Sequence, residues 1–473
     1  MGIHSPLMDT TLSNDTIAAL ATPPGRSGVA VIRISGTGVW PKLASLLRHP
    51  NGKLVDSTPP SPRLMQRLDF VEPNQQILDQ TLVVFFPGPH SFTGEDQVEI
   101  HGHGSPVVVA RMMERLAELM IRPAQPGEFS KRAFLNGKSD LAQAEALMNL
   151  INAASLRAAR EAARQMEGSL SKRLLNNRSI LLEALAHLEA TLDFADEDID
   201  PDDQKAIIRR LTQVSEDLGT LLQGAVLGRQ LSEGFDLAIV GRPNVGKSSL
   251  FNRLSGQDRA IVTSQPGTTR DLLESGIEIH GIPIRLIDTA GLRHTQERIE
   301  QEGIRRAKER LQEADGVLLL LDSGTGILPE DLIIAQSAPI DRTLIVWNKV
   351  DLNPETTLPN LQQSGFPQEM ESTALSCKNG VGMAELLEKI AHYFGSLPVD
   401  GEGCVVMVSR QREALQRTLS HLVQAEAILL HGEKEELVAL SIREALGSLG
   451  ELVGQTSQED LLDLIFSSFC IGK

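Results

Sequence analysis

The chain is short of three things. It has three cysteines in 473 residues, Cys377, Cys404 and Cys470, far apart and in no C-x-x-C pair. That spacing offers no disulfide framework and no zinc cluster, and free thiols fit a reducing compartment. No apolar run reaches the ~18–20 residues that a membrane helix needs. The N-terminal MGIHSPLMDTTLSND has neither the basic stretch nor the apolar core of a signal peptide. A cytoplasmic location without a membrane partner is the expectation. Positive charge is also scarce: 45 lysines and arginines face 62 acidic residues, a net charge of −17. Broad, nonspecific coating of nucleic acid is thereby excluded, while a local basic face or a basic partner is not.

What is present is ordinary in bulk and specific in pattern. A hydrophobic content of 41% is enough for sizeable cores, and the length suits two or three domains. Three textures follow one another. Up to about Gly137 the chain alternates short β-branched runs with turns: VAVIRISG (Val29–Gly36), TLVVFFPGP (Thr81–Pro89) and DQVEIHG (Asp96–Gly102). One helical stretch, Pro106–Met120, interrupts them, so the pattern is α+β. From about Leu141 to Gly228 nearly every window is helical, with Leu182, Leu185, Leu188 and Leu192 as the expected packed stripe. The helical texture returns after about Val408, with Leu415, Leu419, Leu422 and Ala425 on one face. Between the two helical stretches, strands alternate with helices. A helical domain interrupted by an inserted α/β domain is the simplest architecture.

The inserted part carries the chemistry. FDLAIV (Phe235–Val240) reads as a buried parallel strand and is followed by GRPNVGKSS. That is the phosphate-loop pattern, with Gly241, Gly246, Lys247 and Ser248 at its fixed positions and Asn244, Val245 and Ser249 alongside. Its glycines let backbone N–H groups face a phosphate, its lysine reaches the β- and γ-phosphates, and the Ser248 hydroxyl suits Mg²⁺. PGTTRD (Pro266–Asp271) offers Thr269 as a second Mg²⁺ ligand from a loop. DTAG (Asp288, Thr289, Ala290, Gly291) ends the strand IRLI, where Asp288 can hold magnesium through water and the Gly291 N–H can sense the γ-phosphate. NKVD comes directly after TLIVW: the Asp351 carboxylate can accept both donors of a guanine edge, with Asn348 and Lys349 bracing the loop. Adenine lacks those donors and would leave a buried carboxylate unpaired, so GTP is favoured over ATP. LSCKNG supplies a backbone N–H for the guanine carbonyl near Ser376, Cys377 and Lys378. Each motif ends a strand, where ligands of doubly wound sheets sit.

One expected residue is missing. The position after D-x-x-G, where many small GTPases carry a water-orienting glutamine, is Leu292. An apolar side chain cannot polarise water, so help must come from elsewhere in the chain or from a partner. Asn244 is either a plain turn residue or a ligand for a monovalent cation beside the phosphates. Glu300 is either an exposed helix acid or the group that orients the water.

Together these residues resemble the MnmE (TrmE) family of tRNA-modification GTPases, over about Asn14 to Lys473. DTIAALATPPGRSGVAVIRISG, FPGPHSFTGEDQVEIHGHG, PGEFSKRAFLNGKSDLAQAEAL, GRPNVGKSSL, PGTTRD, DTAGLR and the terminal FCIGK carry the resemblance. It implies a multidomain α/β and α fold: an N-terminal α+β folate-binding and dimerisation domain (14–138), a helical domain in two parts (139–232 and 397–473), and an inserted Ras-like P-loop α/β G domain (233–396). It implies a homodimer that works with the flavoprotein MnmG in a heterotetramer. The pair adds a carboxymethylaminomethyl-type group at carbon 5 of the wobble uridine of certain tRNAs, from a tetrahydrofolate one-carbon unit (5-formyltetrahydrofolate or methylenetetrahydrofolate). GTP hydrolysis would be stimulated by K⁺, held by Asn244, Thr263, the Gln265 carbonyl and Thr268, with Ser264, Pro266 and Gly267 in the same nucleotide-contacting loop. Mg²⁺ would lie on Ser248 and Thr269, and Glu300 matches the water-orienting acid. Folate contacts would fall on Arg33, Glu99, Lys138 and Lys473. Cys470 matches a terminal cysteine, whose role as nucleophile, structural thiol or folate-site residue stays open.

Other features have plainer readings. His101-Gly-His103 suits a turn better than a metal pair. The acidic run Asp193–Asp203 has Pro201 where a calcium loop needs glycine and Ile207 where it needs glutamate, so it reads as a solvated helix end. Arg157, Arg160, Arg164, Lys172, Arg173, Arg178, Arg410, Arg412 and Arg417 are either ordinary helix surface or a tRNA-facing stripe. The competing function is a ribosome-assembly GTPase that performs no chemistry on RNA.

Overall fold

The computed structural model describes residues 15–193, 201–256, 274–280, 282–288, 314–352, 365–367, 370–395, 408–431, 435–455, 459–467, 469 and 472. Two compact units divide the chain, Met1–Ala144 with Val453–Lys473, and Glu145–Leu452.

The first unit is built on a seven-stranded sheet. Its strands are β1 (Thr16–Leu20), β2 (Ser27–Ser35), β3 (Leu47–Arg48), β4 (Gln66–Val71), β5 (Ile77–Phe86), β6 (Gln97–Gly104) and β7 (Ile121–Pro123), in the order β3-β4-β5-β6-β2-β1-β7. Every neighbouring pair is antiparallel except β1 and β7. The alternation in β2 decides which face is buried: Ile32 and Ile34 enter the main core, while Val31 and Arg33 point to the opposite face. That core also takes Trp40 and Leu43 of α1 (Val39–Leu43) and Met112 and Leu116 of α2 (Pro106–Glu118). α2 opens on Pro106, whose missing N–H costs nothing in a first turn. Across the sheet Ile17, Ala19 and Ala124 pack on Phe129 of α3 (Glu128–Leu135). α3 also carries Arg132, buried among carboxylates: it donates to Asp15 (2.6 Å), Glu95 (3.1 Å) and Glu128 (2.9 Å).

The second unit joins long helices to a second sheet. After α4 (Leu141–Ile151), α5 (Leu156–Met166) starts under Ser155, whose hydroxyl accepts the Ala158 N–H at 3.1 Å. α6 (Ser169–Asp193) buries Leu174, Leu181, Ala184, Leu185 and Leu188. Leu182, expected in that stripe, is 40% exposed, because the buried register runs through Leu181 and Leu185. α7 (Pro201–Glu233) has the most regular stripe: Ile207, Leu211, Val214, Leu218, Leu221 and Ala225 are all buried at spacings of three and four. Past the second sheet, the helix Ser409–His431 buries Leu415, Leu422 and Ala425 on one face, as its spacing predicted, while Leu419 of the same stripe is only half-buried. Part of the basic stripe is neutralised. Arg173 pairs with Asp217 (2.7 Å), Arg410 with Glu145 (2.7 Å) and Arg417 with Glu451 (2.5 Å).

α7 passes through the single residue Gly234 into β8 (Phe235–Val240), the centre of the second sheet. The other strands are β9 (Glu274–Ile279), β10 (Ile282–Asp288), β11 (Gly316–Asp322), β12 (Thr343–Asn348) and β13 (Glu371–Ala374). Their order is β13-β12-β11-β8-β10-β9, parallel throughout except for the β9–β10 hairpin at one edge. β8 alternates between two cores. Phe235, Leu237 and Ile239 pack with α8 (Lys247–Ser255) and the helix Met383–Gly395, and Ala238 and Val240 pack with the helix Pro329–Ser337. Because chain order reverses on either side of β8, a crevice opens at its C-terminal end.

Candidate functional site

That crevice holds a cavity of about 830 Å³. Asn244, Gly246, Lys247, Ser248 and Ser249 line one end, and Asn348, Lys349, Asp351, Cys377 and Lys378 the other. These come from three strand ends: the turn between β8 and α8, the turn after β12, and the loop after β13.

The phosphate end is already folded into a cradle. Gly246 has φ of +107°, and an added Cβ would strike the Asn348 amide. Only glycine lets the backbone approach so closely. The Lys247 ammonium lies across the loop, donating to the carbonyls of Gly241 (2.9 Å) and Arg242 (2.7 Å). α8 begins at Lys247, so its N-terminus opens on the cavity, a ready anion site. Arg242 anchors the loop from behind. Its guanidinium donates to the fully buried Asp331 carboxylate (2.8 Å), to Thr325 Oγ1 (3.1 Å) and to the Gly326 carbonyl (3.3 Å).

The opposite end is wired to the cradle. Asn348 Nδ2 donates to the Val245 carbonyl (2.8 Å), and Asn348 Oδ1 accepts the Cys377 N–H (3.0 Å). Lys349 Nζ donates to the Asn244 carbonyl (2.7 Å) and to Asp322 Oδ2 (2.7 Å). Asn244 and Lys349 both sit at positive φ, +62° and +66°. Such backbone is uncommon outside glycine and gathers at functional loops. Burial disfavours ionisation of Asp322, but the Lys349 ammonium and the Gly324 N–H outweigh it and hold the carboxyl below its usual range. Asp351 accepts a hydrogen bond from the buried Ser376 hydroxyl at 2.6 Å, which aims its carboxylate. The Cys377 thiol is pushed up to about 11 by burial, against the opposing charge of Arg253, so it is a neutral wall and no nucleophile.

Val245 and Ser376 stand behind the cavity wall, joined to it by the hydrogen bonds above. Asp288 closes β10 opposite Ile239 of β8, at the crevice end of the sheet. Thr263, Ser264, Gln265, Pro266, Gly267, Thr268, Thr269, Thr289, Ala290, Gly291, Leu292, Glu300, Cys470 and Lys473 lie outside the described residues. In the first unit Arg33 and Glu99 are direct cross-strand partners on β2 and β6, paired at 2.9 Å. Arg33 also lies over the rings of Phe92 (5.5 Å) and Phe129 (5.9 Å) and donates to the Gly472 carbonyl (3.3 Å). The exposed Lys138 packs its chain beside Gly94. The Asp79 carboxylate accepts from His103 Nδ1 (2.6 Å), and His101 lies 3.4 Å from Glu99.

Arg242, Arg253, Asp322 and Asp331 hold the loops yet stand at no motif position, and the sequence does not single them out. Asp322 had the best available signal, as the polar end of the apolar run GVLLLLD.

A cradle for phosphates at the switch point of a doubly wound sheet, with a carboxylate across the cavity to read a purine edge, defines a P-loop GTP hydrolase. The family described as the MnmE helical domain matches residues 141–470, and that described as the GTP-binding protein TrmE N-terminus matches residues 16–138. The tRNA modification GTPase MnmE of Magnetococcus marinus is 49% identical over 473 residues, all of both chains. That of Nitrosococcus oceani is 42% identical over 478 positions, again all of both, and that of Natranaerobius thermophilus 39% identical over 98% of this chain and all of its own. The chain belongs to the tRNA modification GTPase MnmE family. Among solved structures, the G domain of the Thermotoga maritima FeoB iron transporter is 30% identical over 34% of this chain and 98% of its own, at a TM-score of 0.25.

Proposed function

We propose that this chain is a K⁺-stimulated GTPase that acts with the flavoprotein MnmG on the wobble uridine of certain tRNAs, in the cytoplasm and as a homodimer. The observation that carries the reading is the end-to-end identity of 49% with a tRNA modification GTPase, with no part of either chain left over. It favours tRNA modification over the ribosome-assembly alternative, which has no use for the matched N-terminal residues 16–138.

GTP lies with its phosphates over Lys247 and the first turn of α8 and its base against Asp351 and the 376–378 loop. The wall offers oxygen ligands that fit hard cations: Ser248 and Asn244 both line the cavity. Mg²⁺ is held by Ser248 and Thr269, and K⁺ by Asn244, Thr263, the Gln265 carbonyl and Thr268. Both cations supply charge for the transferring phosphoryl group. With Leu292 unable to orient water, that task falls to Glu300.

The folate derivative is assigned to the first unit. Arg33, Glu99 and the partly exposed Phe92 offer a cation, a carboxylate and an aromatic edge on one sheet face, a set that suits a pterin ring with an anionic tail. Lys138 and Lys473 complete the assignment. When bound, the folate supplies the one-carbon unit. The domain limits are those expected from the sequence, 14–138, 139–232 with 397–473, and 233–396.

The test has two arms. GTP turnover in KCl should greatly exceed that in NaCl, and Asn244→Ala should abolish the difference; equal rates in both salts sink the K⁺ assignment. Expressing the chain in a strain deleted for its own homologue should restore the mass of modified wobble uridine. Failure to do so with soluble, GTP-hydrolysing protein sinks the tRNA reading.

A further inference from the structure

Arg253 lies on α8, six residues past the phosphate-loop lysine, and reaches away from the phosphates. Its Nη1 donates to the carbonyls of Cys377 (2.9 Å) and Lys378 (3.3 Å). These belong to the loop assigned to the guanine base, and any role for Arg253 rests on that assignment. The peptide N–H of Cys377 is meanwhile held by Asn348, whose other side-chain atom holds the phosphate loop at Val245. Cys377 is thus gripped on both sides of its Cα by groups that belong to, or are tied to, the phosphate end.

Gly380 fits the same design. It has φ of +87°, and a Cβ built there would strike Arg253 Nη2. Two constraints therefore make position 380 glycine: the left-handed backbone, and the guanidinium that occupies the space a side chain would need. The loop's own turn is closed by the Gly380 N–H donating to the Ser376 carbonyl at 2.9 Å.

We infer that Arg253 is a positioning residue for guanine recognition. It touches no nucleotide atom itself. It fixes the distance between the loop that reads the base and the helix that receives the phosphates, so the two ends of one nucleotide are met in register. Arginine suits the task because its planar guanidinium holds Nη1 within reach of both carbonyls; lysine offers a free-swinging point charge. The Ser376 hydroxyl, which aims Asp351, rides on the same loop, so a loop set free would also lose the aim of the guanine-reading carboxylate.

The experiment measures GDP and ADP affinities and GTP hydrolysis for the full chain, wild type, Arg253→Ala, Arg253→Lys and Gly380→Ala. Arg253→Ala should raise the Kd for GDP and the KM for GTP about tenfold, the size of one lost charge-assisted hydrogen bond. The loss should fall on KM rather than kcat, since the loop lies at the base and not at the γ-phosphate. Weak ADP binding, which uses only the phosphate end, should not move. Arg253→Lys should recover only a minor part of the loss. Gly380→Ala should reproduce it, and adding it to Arg253→Ala should cost less than the sum, because the clash goes when the guanidinium goes. GDP binding by folded Arg253→Ala at wild-type strength overturns the inference, as does a loss confined to kcat. If Arg253→Ala does not fold, Gly380→Ala, which keeps the arginine, carries the test alone, and unchanged GDP affinity there overturns it. A wild-type chain that does not prefer GDP to ADP defeats the assignment of the base loop itself, a result distinguishable from failure of Arg253.

Discussion

The two sheets of this chain put their chemistry in different places. In the six-stranded, mostly parallel sheet the strands β11 and β12 are apolar runs, such as GVLLLLD, buried along the whole of their length. Polar side chains with work to do appear where those runs stop. In the seven-stranded, mostly antiparallel sheet, Arg33 and Glu99 sit in mid-strand, facing each other across β2 and β6, with apolar neighbours on the opposite face. A parallel sheet covered on both faces has room for a ligand only at its edge of strand ends; an antiparallel sheet can offer a whole face.

Four experiments sharpen that contrast. The largest effect belongs to the strand-end site. Asp351→Asn removes the acceptor for guanine's two donors, and kcat/KM for GTP should fall on the order of 10³-fold, as a buried polar mismatch costs. Xanthosine triphosphate, with a carbonyl in place of the 2-amino group, should gain in parallel; an unchanged preference for GTP refutes the assignment. Next comes the buried network beneath the other sheet. Arg132→Ala takes a buried cation from Glu95, while Asp15 and Glu128 keep Arg122, and should cost about 3 kcal/mol, read as an earlier urea transition. Arg285→Ala is its exposed counterpart. The Arg285–Asp236 pair joins neighbouring parallel strands at the surface, and its loss should cost no more than about 1 kcal/mol in the same assay. The smallest effect is the pH dependence of Asp322. Its pKa is lowered on folding, so its contribution to stability is complete above the ordinary aspartate pKa of about 3.9 and disappears as pH falls below it through the folded value. Melting temperatures measured from pH 6 to pH 3 should drop less steeply in Asp322→Asn than in wild type; parallel curves show that the Lys349–Asp322 pair is not linked to folding.

The same contrast explains what could be read from the sequence. The inserted sheet was legible because each motif is contiguous and comes after an apolar run, so Lys247, Ser248, Asn348 and Asp351 could be placed on one crevice without coordinates. Leu182 turned out exposed because a stripe of leucines at three and four leaves the helix's rotation open by one residue, and Leu181 was the neighbour that turned inward. Arg253 and Arg242 were invisible because their partners are backbone carbonyls or a buried carboxylate up to 125 residues away. Backbone carbonyls leave no mark in a sequence. The Arg33–Glu99 pair shares that difficulty: two charges 66 residues apart are unremarkable until the register of β2 and β6 sets them face to face.

The passage from α7 to β8 through Gly234 has a mechanical meaning. α7 spans 33 residues, so it is a rod of about 50 Å. Its C-terminal end meets a strand of six residues whose far end is the phosphate cradle, and the joint between rod and strand is one glycine at φ +85°. Such a joint leaves one residue between a tilt of the rod and the strand. A turn of about five degrees there sweeps the distant tip of the rod through roughly 4 Å, the geometry of a lever with its short arm ending at the nucleotide.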